Sequence, residues 1–184
     1  MGSLNFTTGL LDYRRYFMPA KFYTIAVRAL HYGRYGADAQ DSRLIPLFLG
    51  YPEFVRGYGI NSFTTDECNS LTGACPTFDR LEGSRMAVGN IELRFPLLRP
   101  FGVTGRMYGP LPVEVALFAD GGAAWNKGDH ISFSNDAERK PVSSAGVTFR
   151  TSLLGFAIAQ IDLAHPFDRP GKGWVWGFSL TPGF

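Results

Sequence analysis

Residues 86–97 read Met-Ala-Val-Gly-Asn-Ile-Glu-Leu-Arg-Phe-Pro-Leu, and the two halves of that alternation differ in kind. Odd positions hold Ala87, Gly89, Ile91, Leu93, Phe95 and Leu97, whereas Asn90, Glu92 and Arg94 fall on even ones. Successive side chains of a β-strand point to opposite faces, so this stretch is a strand with an apolar face and a charged face. The same sorting recurs in 113–120, with Val113, Val115, Leu117 and Ala119 against Glu114 and Asp120. It recurs in 143–153, with Ala145, Val147, Phe149 and Leu153 against Ser144, Thr148, Arg150 and Ser152, and in 157–163, with Ala157, Ala159, Ile161 and Leu163 against Gln160 and Asp162. In 174–184 one face carries Trp174, Trp176, Phe178, Leu180 and Phe184. Upstream, 22–32 alternates less cleanly, with Tyr23, Ile25, Val27 and Ala29 as its apolar side, and 4–17 is a strand of ambiguous faces. Seven strands and no helix are expected, an all-β chain.

A soluble sandwich would alternate too, so further features must choose. No run of eighteen apolar residues occurs, which excludes a membrane-spanning helix and leaves strands to carry any membrane role. Charged residues make up 18% of the chain, below the roughly 25% of soluble domains. Phe, Tyr and Gly are abundant, as the aromatic girdles of a membrane barrel require. Connections alternate long and short counting back from the last strand: 166–173, a tight turn at Leu154-Gly155, 126–141, a medium stretch 99–111, a very long segment 33–84, and a tight turn at Pro19-Ala20. Long connections belong outside the cell and short ones in the periplasm.

The net charge of +2, on dispersed basic residues, argues against nucleic acid as a partner. No secretory leader opens the sequence, so either the protein stays inside or the true N-terminus is missing. Cys68 and Cys75 sit close together in a polar stretch, where a local disulfide in an oxidising compartment is the natural reading. Zinc is the alternative, but it needs two further ligands and none stands nearby. His31, His130 and His165 are isolated, and no nucleophile-elbow, zinc-protease or phosphate-loop pattern is present. No enzyme, cofactor or metal is expected.

The long segment contains Phe54-Val55-Arg56-Gly57-Tyr58, and with it the chain resembles the BamA/TamA outer-membrane family, also called the bacterial surface antigen family, over essentially its whole length. In that family a Val-Arg-Gly-Phe/Tyr loop folds back into the barrel, and its Arg meets acidic residues on the lumen faces of the next two strands. The matching positions are Val55, Arg56, Gly57 and Tyr58, with Glu92 and Asp120 as partners. Both acids lie on the face that parity alone makes polar. A planar guanidinium suits such an anchor, because its fixed fork of donors pairs with carboxylates and offsets the entropy lost in ordering a long loop. The tail Phe178-Ser179-Leu180-Thr181-Pro182-Gly183-Phe184 is similar to the terminal assembly signal of outer-membrane barrels, with Phe178, Leu180 and Phe184 as its apolar positions. Pro182 departs from that pattern, since it lacks a ladder donor.

The resemblance implies an antiparallel transmembrane β-barrel in the cell outer membrane. Residues 1–184 would supply about seven C-terminal strands of a sixteen-stranded barrel, with one long extracellular loop folded inward. It also implies a part in inserting or translocating other proteins, with outer-membrane lipid, substrate outer-membrane or secreted proteins and periplasmic accessory proteins as partners. The alternatives are a barrel that anchors or exports an attached enzyme or periplasmic propeller domain, and a simple pore.

Overall fold

The computed structural model describes residues 3–68, 72, 74–98, 113–132, 139–153 and 156–182. The chain is all-β. Its long strands are β1 (Thr7–Ala20) and β2 (Tyr23–Tyr35), then, after the two-residue strands β3 (Leu47–Phe48) and β4 (Glu82–Gly83), β5 (Arg85–Pro96), β6 (Val113–Trp125), β7 (Val142–Leu153), β8 (Ala157–Pro166) and β9 (Val175–Pro182). The seven long strands form one antiparallel sheet in the order β1-β2-β5-β6-β7-β8-β9, so chain neighbours are sheet neighbours throughout.

Register carries the parity of one strand to the next. Ala26 pairs with Glu92, Glu92 with Phe118, and Phe118 with Gly146, while Asn90 pairs with Asp120 and Asp120 with Ser144. All even-numbered residues of β5, β6 and β7 therefore share one face, here called inner. The outer face keeps Ile91, Leu117, Phe149, Ile161, Trp176, Phe178 and Leu180, all of them exposed. A soluble sandwich would bury its apolar face against a second sheet. Here the apolar face is bare, and the polar one is covered.

What covers it is the long connection between β2 and β5. Loop residues Leu47, Phe48, Leu49, Val55, Tyr58 and Leu81 pack against inner-face residues Leu30, Met86, Val88, Ala124 and Val142 to form the hydrophobic core. Each such side chain contributes about 1.5 to 3 kcal/mol on burial. The molecule's core thus lies between a loop and a wall. The loop's ends are tied by pairing of β3 with β4 and by the Arg34 amide donating to the Ser84 carbonyl at 2.9 Å.

Several boundaries differ from the expectation, each for a local reason. The first hairpin turns at Lys21-Phe22, not Pro19-Ala20, because Phe22 takes the left-handed conformation (φ 74°) that the tight turn needs. Pro19 instead lies in a bulge, since register shifts between Phe17 and Ala20 where a residue without an N–H cannot serve the ladder. β1 faces are now resolved: Asp12, Arg14 and Tyr16 pair with Leu30, Arg28 and Ala26 and lie on the inner side. β6 runs past Asp120 through Gly121 and Gly122 to Trp125, and a side chain at Gly122 would strike Leu49 and Val55 of the loop. One turn of helix, Pro76–Asp79, interrupts the loop where none was expected. The Leu154-Gly155 turn, the 99–111 connection and Phe184 lie outside the described residues.

Candidate functional site

The loop runs onto the inner face at Phe54-Val55-Arg56-Gly57-Tyr58, where each residue has a distinct task. Val55 and Tyr58 are fully buried in the core. Gly57 has φ 87° and passes so close to β8 that a Cβ there would sit 3.2 Å from that of Ala164. Only glycine meets both conditions without strain. The Tyr58 hydroxyl donates to the Ser143 carbonyl at 2.8 Å and accepts from the Asp168 amide at 3.2 Å, and burial pushes its phenol pKa up.

Arg56 is 5% exposed and makes a fork on Asp120, with Nε to Oδ2 at 2.7 Å and Nη2 to Oδ1 at 2.8 Å. Its own amide donates to the same carboxylate at 3.2 Å. Nη1 lies 2.7 Å from Glu92 Oε1 and donates to Thr148 Oγ1 at 3.0 Å, while Asp162 stands 3.9 Å away. The guanidinium stacks on the Phe118 ring, 3.6 Å from its centroid. Gly146 across the sheet leaves room for that ring, because a Cβ there would come within 2.8 Å of it.

The contacts close into a circuit. Thr148 donates to Asp162; Gln160 donates to Asp162 at 3.0 Å and accepts from Arg150 Nε at 2.7 Å; and Arg150 forks onto Glu92 at 2.9 and 3.0 Å. Arg94 adds a contact to Glu92 at 2.7 Å, and Asn90 joins Asp120 to the Phe54 carbonyl. Three arginines, Arg56, Arg94 and Arg150, face the buried acids Glu92, Asp120 and Asp162, and Glu114 stands at the margin 3.6 Å from Arg150. A low-dielectric site penalises any unpaired member heavily, so a matched set of this kind fixes one arrangement and rigidifies it. Its chemistry is fastening.

Residue spacing did not reveal a second fastening. Arg169, in the connection between β8 and β9, has a side chain with no exposed surface. It forks onto Glu67 at 2.7 Å through both Nε and Nη2, donates to the carbonyls of Gly57 (2.6 Å) and Ser62 (2.8 Å) and to the Ser62 hydroxyl, and lies 3.9 Å over the Phe63 ring. The Arg169 hydrogen bonds hold the Glu67 carboxyl down at about 2. A depressed carboxylate contributes stability above its unfolded value of 4.5 and loses it as pH falls toward 2. Amide exchange of residues 59–68 is accordingly expected to stay constant from neutral pH down to about 5, once corrected for intrinsic rates, and to lose protection below about 4.

Next to Glu67, Cys68 and Cys75 form a disulfide. Closing so short a loop stabilises the segment by about 2 to 3 kcal/mol. Maleimide labelling of the folded protein without reductant is expected to modify neither sulfur, and two reactive thiols would contradict the pairing. Phe178 and Leu180 project from the outer face of β9 and are exposed.

An antiparallel sheet with a bare apolar face, whose polar face is charge-paired and plugged by its own loop, defines a membrane protein that crosses with strands. Residues 11–183 match the Omp85 superfamily domain, and the chain belongs to that superfamily. Members are outer-membrane proteins that in general insert or translocate other proteins and do not act as enzymes. No curated protein matches the chain.

Proposed function

We propose that this chain is the C-terminal part of an outer-membrane barrel of the BamA/TamA type that inserts or translocates other proteins across or into that membrane. The observation that carries the reading is Arg56. A Val-Arg-Gly-Tyr loop lies on the polar face with its arginine forked on an acid of β6 and touching an acid of β5, the arrangement the family resemblance implies. Seven strands are too few for a barrel of sixteen, so in this reading strands outside the described sheet complete it. β1 and β9 each leave one edge without a neighbour in the sheet, and those edges would meet their closing partners.

The test is reconstitution. The full-length protein in liposomes is expected to speed membrane assembly of an unfolded reporter barrel, and Arg56→Ala is expected to reduce that rate severalfold. A protein that conducts ions but leaves reporter assembly at the rate of empty liposomes would be a simple pore.

Phe178, Leu180 and Phe184 are proposed as the signal by which the chain is itself recognised for assembly. Deleting Phe184 is expected to lower insertion in cells more than it lowers refolding of purified protein in detergent. Equal losses in both would make the residue structural.

A further inference from the structure

On the outer face of β2, β5 and β6 almost every position is apolar or glycine: Ile25, Val27, Ala29, Ala87, Ile91, Leu93, Leu117, Ala119 and Ala123. Arg85 breaks that rule. It pairs in register with Gly33 and Trp125, and its parity is that of Ile91, so its side chain leaves the sheet on the apolar side. It does so at the end of the strand where the long loop departs. One ring packs against it, and two more continue from that ring. The Arg85 guanidinium lies 4.6 Å over the Tyr35 ring, Tyr35 is hydrogen-bonded to His31, and His31 stacks on Trp125 with ring centroids 5.7 Å apart. Gly33 gives Tyr35 space to lie flat, since a Cβ there would come 3.0 Å from its hydroxyl.

Among the described residues no carboxylate pairs with Arg85, and its Nε is buried with no hydrogen-bond partner. On the inner face Arg14, Arg28, Arg94 and Arg150 each find an acid within 4 Å, and Arg34 donates to the Ile45 carbonyl at 2.7 Å. An unpaired guanidinium on a lipid-facing surface is costly at mid-depth but suits the interface, where aromatic rings anchor and headgroups carry charge.

We infer that Arg85, with Tyr35, His31 and Trp125, forms a binding site for the phosphate of an anionic lipid headgroup on the outer rim of the wall. The ligand's chemistry follows from the site. A phosphate oxygen supplies the acceptor that the guanidinium lacks, and the rings seat the first carbons of the lipid against an apolar surface. The inference rests on the reading of the outer face as lipid-facing.

Native mass spectrometry of the full-length protein released from vesicles of mixed phosphatidylglycerol and phosphatidylcholine tests it. The protein is expected to retain phosphatidylglycerol in preference by roughly fivefold, the factor for one cation at an anionic surface. Arg85→Gln is expected to bring the two lipids to parity, and Arg85→Lys to keep most of the preference. Tyr35→Ser, which removes the platform without removing charge, is expected to fall between them and serves if Arg85→Gln does not fold. An unchanged preference in Arg85→Gln would overturn the site. Displacement of the retained lipid by millimolar inorganic phosphate would overturn it as a headgroup site. Failure of the wild-type protein to float with the vesicles would overturn the lipid-facing reading and the site with it.

Discussion

Arg56→Ala is expected to free the long loop from the sheet, at a cost of about 3 to 5 kcal/mol in loop docking, while leaving strand content unchanged. The magnitude follows from what the variant strands in place. Asp120 has a fully buried side chain, and without Arg56 it keeps only the Asn90 amide as a side-chain partner. Removing one member of a buried pair leaves a charge that cannot recover its hydration. Glu92 fares better, because Arg94 and Arg150 still reach it. The reverse variant is milder. Asp120→Ala leaves Arg56 in contact with Glu92 at 2.7 Å and near Asp162, so a loss of about 2 kcal/mol is expected, the worth of the charged hydrogen bonds removed. The double variant is expected to be little worse than Arg56→Ala alone, since both changes delete one interaction. Limited proteolysis within residues 36–84 reads the docking, and far-ultraviolet circular dichroism reads the strands. Additive losses in the double variant would mean that Arg56 and Asp120 act separately.

Arg169→Ala is expected to release a different part of the same loop, raising amide exchange of residues 59–68 roughly hundredfold, as the loss of about 3 kcal/mol requires. Five hydrogen bonds disappear, and Glu67 is left with Lys172 at 3.5 Å as its remaining cation. Residues 54–57 should stay protected, because Arg56 still holds them. Arg169→Lys is expected to rescue little, since an ammonium cannot fork onto a carboxylate while also reaching two carbonyls. Full rescue by lysine would show that charge alone matters at this position.

The wall was legible because its pattern is local. Alternation in 86–97 and in the strands after it follows from burial on one side only, and neighbouring residues suffice to see it. The Arg56 motif was legible through the resemblance to a known family, with the parity of Glu92 and Asp120 in agreement; that Gly57 is needed where the loop meets β8 became clear only in the fold. Thr148 was not, since a threonine on a polar face carries no mark that its hydroxyl will bridge an arginine to Asp162. Arg169 was not legible either. Its partner Glu67 lies 102 residues away and competes with several other acids in the loop, and only the folded register chooses among them. Gly122 is an indentation in the inner face of β6, shaped to Leu49 and Val55 of a loop whose course the sequence does not announce.

Proline placement gives the sheet a mechanical gradient. Pro19 in β1, Pro96 in β5 and Pro182 in β9 all fall at the strand ends opposite the long loop, where each deletes a possible ladder donor. At the loop end the strands are laced together through Arg56, Tyr58 and Arg169, and Pro166, the one proline within a strand there among the described residues, is packed beside Gly57. One rim is therefore stiff and the other compliant, so a pulling force applied evenly across the membrane would part the strands from the turn side first, with the plugged rim acting as the fixed jaw.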